Sequence, residues 1–166
     1  MWGNIMTSIV LVDSENAIGK NNKLLVHITE DMKRFKEITE GNVVVMGRKT
    51  WDSLTNKPLK NRLNCIISTQ LDIQEENVKV FRSVEDCIKF LNNIDKDVYI
   101  IGGGEIYHQF MPYCNKLLIT RVKYNYNGTV YFPSISFEEW RLKSKSNTKR
   151  EENVEYNYET WERIRE

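Results

Sequence analysis

Two short segments combine glycine with groups that suit an anion. Gly47-Arg48-Lys49-Thr50 follows the apolar run 43–46, and Gly102-Gly103-Gly104-Glu105 follows the apolar run 98–101. Glycine lets a ligand approach the main chain, and a helix starting just beyond it offers unpaired N–H groups and the positive end of its dipole. Arg48 and Lys49 add full positive charge at the first segment. Each segment predicts a strand-to-helix turn at the C-terminal end of a strand, where open α/β sheets take their ligands. Together they suit a phosphate-bearing cofactor that bridges them. Singly, each is also compatible with an ordinary turn carrying a solvated basic pair. Neither is a Walker A loop, and the glycine triplet is not a G-x-G-x-x-G fingerprint.

Asp31 is the second kind of candidate. The pattern predicts a helix from Thr29, which can cap it, to about residue 39. Its apolar side carries Ile28, Met32, Phe35 and Ile38, while Lys33, Arg34, Lys36 and Glu37 point outward. Asp31, Phe35 and Ile38 fall at i, i+4 and i+7 and share a side. A carboxylate there is out of place, because Asp is seldom buried unpaired. The first helical turn favours its charge, and partial burial raises its pKa. Such an acid suits proton delivery or the gripping of a cationic or amidine-like ligand edge. A first-turn Asp can equally cap the helix or face solvent. His27 and His108 are the only histidines. They read as surface residues, and a His-rich metal site is excluded by counting. Cys65, Cys87 and Cys114 form no C-x-x-C pair. They read as core thiols of a protein in a reducing cytoplasm.

The elements that must position these residues follow from periodicity and turn signals. Strands are predicted at 8–12, 43–46, 63–68, 78–81, 98–101 and 116–123, with a closing hairpin around 140–144 and 154–161. Helices are predicted at 29–39, at 48–54, after Ser83 in a capping-box context with Asp86, and after the glycine triplet to near Pro112. Residues 13–24 read as a long polar loop of the kind that forms a lid. Early α/β alternation followed by strands alone predicts an α/β fold. It is a central, mostly parallel sheet of about eight strands with an antiparallel C-terminal edge hairpin, flanked by about four helices. With 166 residues, one domain over 1–166 is expected. Lys and Arg number 24 against 23 Asp and Glu, a net charge of +1, which argues against nucleic acid as a partner. No apolar run nears the length of a membrane span, and no leader pattern opens the chain.

These pieces resemble the dihydrofolate reductase family over essentially the whole length. The matching segments are, in order, Ile18-Gly19, Asp31 with Phe35 and Thr39, Val45-Met46-Gly47-Arg48-Lys49-Thr50-Trp51, Pro58-Leu59 with Arg62, Ile101-Gly102-Gly103-Gly104-Glu105-Ile106-Tyr107, Thr120, and Phe132-Pro133. The resemblance implies NADPH-dependent reduction of dihydrofolate by a cytoplasmic monomer. It implies that Asp31 binds the pteridine and assists protonation at N5, with a hydrogen bond from Thr120. Ile9, Met32, Phe35, Leu54 and Ile101 would wall the substrate, Arg62 would pair with its α-carboxylate, and Lys57 would make a weaker contact with the glutamate tail. Gly102, Gly103 and Gly104, with Glu105, Ile106 and Tyr107 of the following helix, would hold the pyrophosphate. Gly47, Arg48, Lys49, Thr50, Ser68, Thr69 and Arg82 would serve the adenosine side. Leu11 with Ala17, Ile18, Gly19, Asn22 and Lys23 would cover the nicotinamide.

Two departures stand out. Leu25-Val26 replaces the family's usual Pro-Trp, which implies a smaller pocket wall. Gly128-Thr129 replaces a usual Gly-Asp, which implies a less populated closed lid. The same fold also serves riboflavin-pathway reductases, whose substrates lack the glutamate that Arg62 would grip. A binding module with reduced turnover is the other alternative.

Overall fold

The computed structural model describes residues 5–20 and 23–164. In chain order these form β1 (Met6–Val12), β2 (Ala17–Lys20), β3 (Lys23–Leu24), α1 (Thr29–Thr39), β4 (Val43–Gly47), α2 (Arg48–Ser53), β5 (Leu63–Ile67), β6 (Val78–Phe81), α3 (Val84–Leu91), β7 (Val98–Gly102) and α4 (Gly104–Phe110). A single 3-10 turn, Met111–Tyr113, leads to β8 (Lys116–Val122), β9 (Val130–Tyr131), β10 (Trp140–Lys145), β11 (Lys149–Glu151) and β12 (Val154–Arg163). The main sheet runs β10-β12-β8-β1-β7-β4-β5-β6, with β11 paired to β12. Everything from β8 to β6 is parallel, and β12 and β10 add antiparallel strands at one edge. This is the expected α/β sheet with its C-terminal hairpin.

The centre of the sheet is covered on both faces, so its strands are near-continuous apolar runs; Val43, Val44, Val45 and Met46 are all fully buried. On one face β1, β4, β7 and β8 pack with α3 and α4 in a single large cluster. On the other face the apolar side chains divide in two. Val44, Met46, Trp51 and Ile66 form one group with Leu54 and Ile101, while Ile28, Val122 and Tyr156 form another with Leu11 and Val26. The boundary falls between β7 and β1. A sheet face whose packing is interrupted over its middle strands is where a cleft can form, and α1 lies beside it.

Two local expectations are corrected. Residues 13–24 are more than a loop: β2 and β3 pair with each other, and β2 pairs with β9, forming a small second sheet. Those pairs satisfy main-chain groups that a polar loop would leave to water. Thr29 does not cap α1. It is already helical, Ile28 holds the N-cap position, and no side chain there makes a cap bond. The Glu151 carboxylate from β11 instead accepts the N–H groups of Thr29 (2.9 Å) and Glu30 (3.3 Å). These N–H bonds hold the Glu151 carboxyl below its usual pKa. A depressed folded-state pKa means that this stabilisation exists above the unfolded value and disappears as pH falls through the folded one. Glu151→Gln should therefore lower the melting temperature slightly at neutral pH and leave it unchanged in acid, a difference that thermal scans at the two pH values will read. By contrast, Ser83 caps α3 as expected, accepting the Asp86 N–H at 3.1 Å.

Candidate active site

Asp31 lies in the first turn of α1, where Thr120 of β8 donates its hydroxyl to Oδ1 at 2.5 Å. Parallel pairing puts Leu11 of β1 opposite Thr120, and antiparallel pairing puts Tyr158 of β12 opposite it on the other side. Burial pushes the Asp31 carboxyl above its ordinary pKa, Glu30 adds a little in the same direction, and the Thr120 hydrogen bond and the Arg34 charge oppose them. The result is an acid that gives up its proton less readily than a surface carboxylate while its oxygen is held at a fixed point. Behind it, Tyr107 of α4 donates its hydroxyl to the Ile9 carbonyl at 2.8 Å, fastening α4 to β1. Desolvation keeps that phenol protonated.

The proposed substrate wall draws on both sides of the split face. Ile9 is buried on β1, Leu54 and Ile101 pack into the same group, and Met32 on α1 is exposed. Arg62 is a buried cation preceding β5. Its Nε donates to the Lys60 carbonyl (2.9 Å) and its Nη1 to the Thr39 hydroxyl (3.1 Å), and its guanidinium lies 6.0 Å from the Phe35 ring. These two bonds fix the fork's orientation against the end of α1. Nη2 has no protein partner among the described residues. Lys57 sits apart from this group, with its ammonium on the carbonyls of Trp51 (3.3 Å) and Asp52 (3.2 Å) at the end of α2.

The two glycine turns are brought side by side. β4 and β7 are neighbours, with Met46 opposite Gly102. Gly47 and Gly103 are the N-cap residues of α2 and α4, and neither helix start has a side-chain cap. A Cβ on Gly47 would lie 3.0 Å from Ile106, and one on Gly103 would meet only the Thr50 hydroxyl, at 3.6 Å. Gly102 has φ of +117°, follows the left-handed side of backbone space and abuts the Tyr107 ring. The Gly102-Gly103 peptide is cis. Arg48 pairs with Asp52 one turn along, at 2.9 Å, and Lys49 makes no ion pair among the described residues. Beyond β5, Ser68 accepts the N–H groups of Gln70 and Leu71, and Arg82 donates to the carbonyls of Ser68 and Leu71. Ser68 and Arg82 thus shape this loop, and Thr69 is exposed on it. Glu105 is an exposed residue bonded to Gln109.

The lid segment is tied down in ways the sequence reading missed. Asp13, fully buried, accepts the N–H groups of Glu15, Ala17 and Tyr126. Thr129 donates its backbone N–H to the Gly19 carbonyl at 2.9 Å, and a Cβ on Gly128 would strike Ala17. Ile18 reaches the glycine triplet, 3.9 Å from where a Gly104 Cβ would sit. Val26 is half-buried and packs against the group formed by Ile28, Val122 and Tyr156. Lys23 is exposed in β3, and Asn22 lies outside the described residues. The signal for Asp13 was present: an Asp ending a strand before Ser-Glu-Asn is an Asx-turn pattern.

The sequence matches the family model described as dihydrofolate reductase over residues 5–165. It is 34% identical over 148 residues to the dihydrofolate reductase of Haemophilus influenzae, covering 89% of this chain and 91% of that protein. It is 36% identical over 162 residues to the bifunctional dihydrofolate reductase-thymidylate synthase of Paramecium tetraurelia, covering 96% of this chain but only 35% of that longer protein. Among solved structures, the dihydrofolate reductase from Enterococcus faecalis complexed with NADP(H) and RAB-propyl superposes with a TM-score of 0.86 at 30% identity, covering 96% of each chain.

Proposed function

Because this chain belongs to the dihydrofolate reductase family, we propose that its cleft reduces 7,8-dihydrofolate to 5,6,7,8-tetrahydrofolate with NADPH, and that Asp31 is the acid that serves the reaction. The observation that carries this reading is a half-buried carboxylate on α1, fixed by Thr120 of the central sheet, whose neighbouring strands β4 and β7 end in two abutting glycine turns.

NADPH supplies the hydride that reaches C6 when it is bound. The residues fit such a group: Gly103 leaves open space beside Thr50, the first turns of α2 and α4 lack side-chain caps, and Lys49 brings a cation with no ion pair among the described residues, suited to a 2′-phosphate. Asp31 accepts the substrate's amino group and ring N–H, which orients the pteridine. Its raised proton affinity then favours delivery of a proton, through water, to N5. Ile9, Leu54 and Ile101 exclude water from the ring, and the Arg62 fork meets the α-carboxylate in bidentate fashion. Ala17, Ile18 and Gly19 of β2 cover the nicotinamide side, with Ile18 beside the glycine triplet.

Loss of reduced-nicotinamide absorbance when the protein is mixed with NADPH and dihydrofolate tests this reading, and no decay at micromolar protein overturns it. The riboflavin-pathway alternative is disfavoured by the family match and by Arg62. One continuous main sheet carries strands from β1 through to β12, which supports a single working unit. Three buried free thiols favour a reducing cytoplasm, and no described helix is long and apolar enough to cross a membrane.

A further inference from the structure

A charged cluster sits immediately behind Asp31, on residues that the reaction as described does not use. The Arg34 guanidinium, one turn along α1, lies over the Tyr158 ring at 4.0 Å from its centroid. Tyr158 in turn is the cross-strand neighbour of Thr120, the residue that bonds Asp31. Its hydroxyl donates to Glu30 Oε1 at 2.9 Å, and the Tyr156 hydroxyl donates to the same oxygen at 3.0 Å. Lys149 of β11 approaches that oxygen at 3.9 Å and the Tyr158 ring at 5.9 Å. Arg34 has no ion-pair partner among the described residues, so an aromatic face alone determines where its charge rests. A guanidinium over a ring is held by a cation–π attraction, stronger where water is partly excluded.

We propose that Tyr158 and Arg34 are positioning residues for Asp31: the Tyr158 ring seats the Arg34 guanidinium one helical turn from Asp31, where its charge acts on the half-buried carboxylate that Thr120 holds. The inference rests on Asp31 being the reacting acid, as proposed above. The groups facing Asp31 divide by sign and element. From α1, Arg34 favours the carboxylate and Glu30 opposes it; from β8 the Thr120 hydroxyl favours it; Tyr158 of β12 and Tyr107 of α4 are neutral phenols whose own ionisation Asp31 opposes. Arg34 is the one cation in this set, and its seat comes from another element. The hydroxyl of Tyr158 restrains Glu30, so ring and hydroxyl of one residue act on charges of opposite sign.

The test is a carbon-13 NMR titration of the Asp31 carboxyl in the full chain, assigned by its loss in Asp31→Asn, alongside the pH profile of kcat/KM. Arg34→Met should raise the Asp31 midpoint by about half a pH unit, at the low end for a nearby but partly solvated cation. Tyr158→Leu, which removes the seat, should raise it similarly, while Tyr158→Phe, which keeps the ring, should leave it in place or lower it. The Arg34→Met/Tyr158→Leu double variant should move it no further than Arg34→Met alone, and the kcat/KM profile should shift in the same direction. A midpoint unmoved by Arg34→Met, equal upward shifts for Phe and Leu at 158, or additive shifts in the double variant would overturn the inference. If Tyr158→Leu does not fold, Arg34→Lys decides, since a retained cation must give the smaller shift. A wild-type chain that does not oxidise NADPH defeats the reductase reading, yet the titration still answers this question.

Discussion

Asp31→Asn is expected to reduce kcat for dihydrofolate at neutral pH by roughly 10²- to 10³-fold, within the range lost when a positioned acid is removed. Asn keeps the shape of the side chain and can still accept the Thr120 hydroxyl, so the loss isolates the ionisable function from the geometry. Activity should recover in acid, where substrate arrives already protonated at N5. Stability should move the other way. Burial raises the Asp31 pKa in the folded chain above its unfolded value. A raised folded-state pKa gives a stabilisation that exists below the unfolded pKa and is lost as pH rises through the folded one. At neutral pH the ionised carboxylate is therefore a net burden on the fold, and Asp31→Asn should melt at the same temperature or higher. Steady-state rates between acid and neutral pH, with melting curves on the same samples, check both halves. Full activity of Asp31→Asn at neutral pH would remove Asp31 from its assigned role.

Arg62→Leu is expected to raise KM for dihydrofolate by roughly 30- to 100-fold with little change in kcat. That corresponds to losing a desolvated, bidentate carboxylate contact worth about 2–3 kcal/mol. The loss should be absent for dihydropteroate, which has the pteridine and benzoyl groups but no glutamate. Arg62→Lys should not restore binding, because an ammonium cannot reproduce the fork. Arg62 also ties the loop before β5 to the end of α1 through Lys60 and Thr39, so some stability is lost with it. Comparing the two substrates on one variant separates that structural contribution from recognition. Equal losses for both would show that Arg62 acts only through the fold.

Much of the sheet was readable because its strands carry their instructions locally. The run Val43–Met46 is apolar at every position, and only a strand covered on both faces tolerates that. Ser83 and Asp86 encode their own cap, three residues apart. The helix carrying Asp31 was found with the right boundaries but for the wrong reason at its start. Thr29 looked like a cap, whereas the cap is Glu151, 122 residues away in sequence. No local window contains that bond. The small sheet of β2, β3 and β9 was missed on the same ground, since its strands are two to four residues long and gain their regularity only by pairing across the lid.

The site divides along the same line. The sequence by itself determined the residue types: one acid on an apolar helical face, an Arg after a Pro-Leu, and two glycine turns at strand ends. These are statements about spacing, and spacing is a property of the chain. Only the tertiary structure decided that β4 and β7 are adjacent, so that the two turns form one cradle. It also decided that Thr120 meets Asp31, that Lys57 is held at the end of α2, and that Tyr158 seats Arg34. Each of those depends on strand order and register, which follow from burying the whole set of apolar faces at once. A helical turn repeats every three or four residues and can be read along the chain. Which remote strand lies beside it is settled by the competition for one shared core, and no segment carries that information alone.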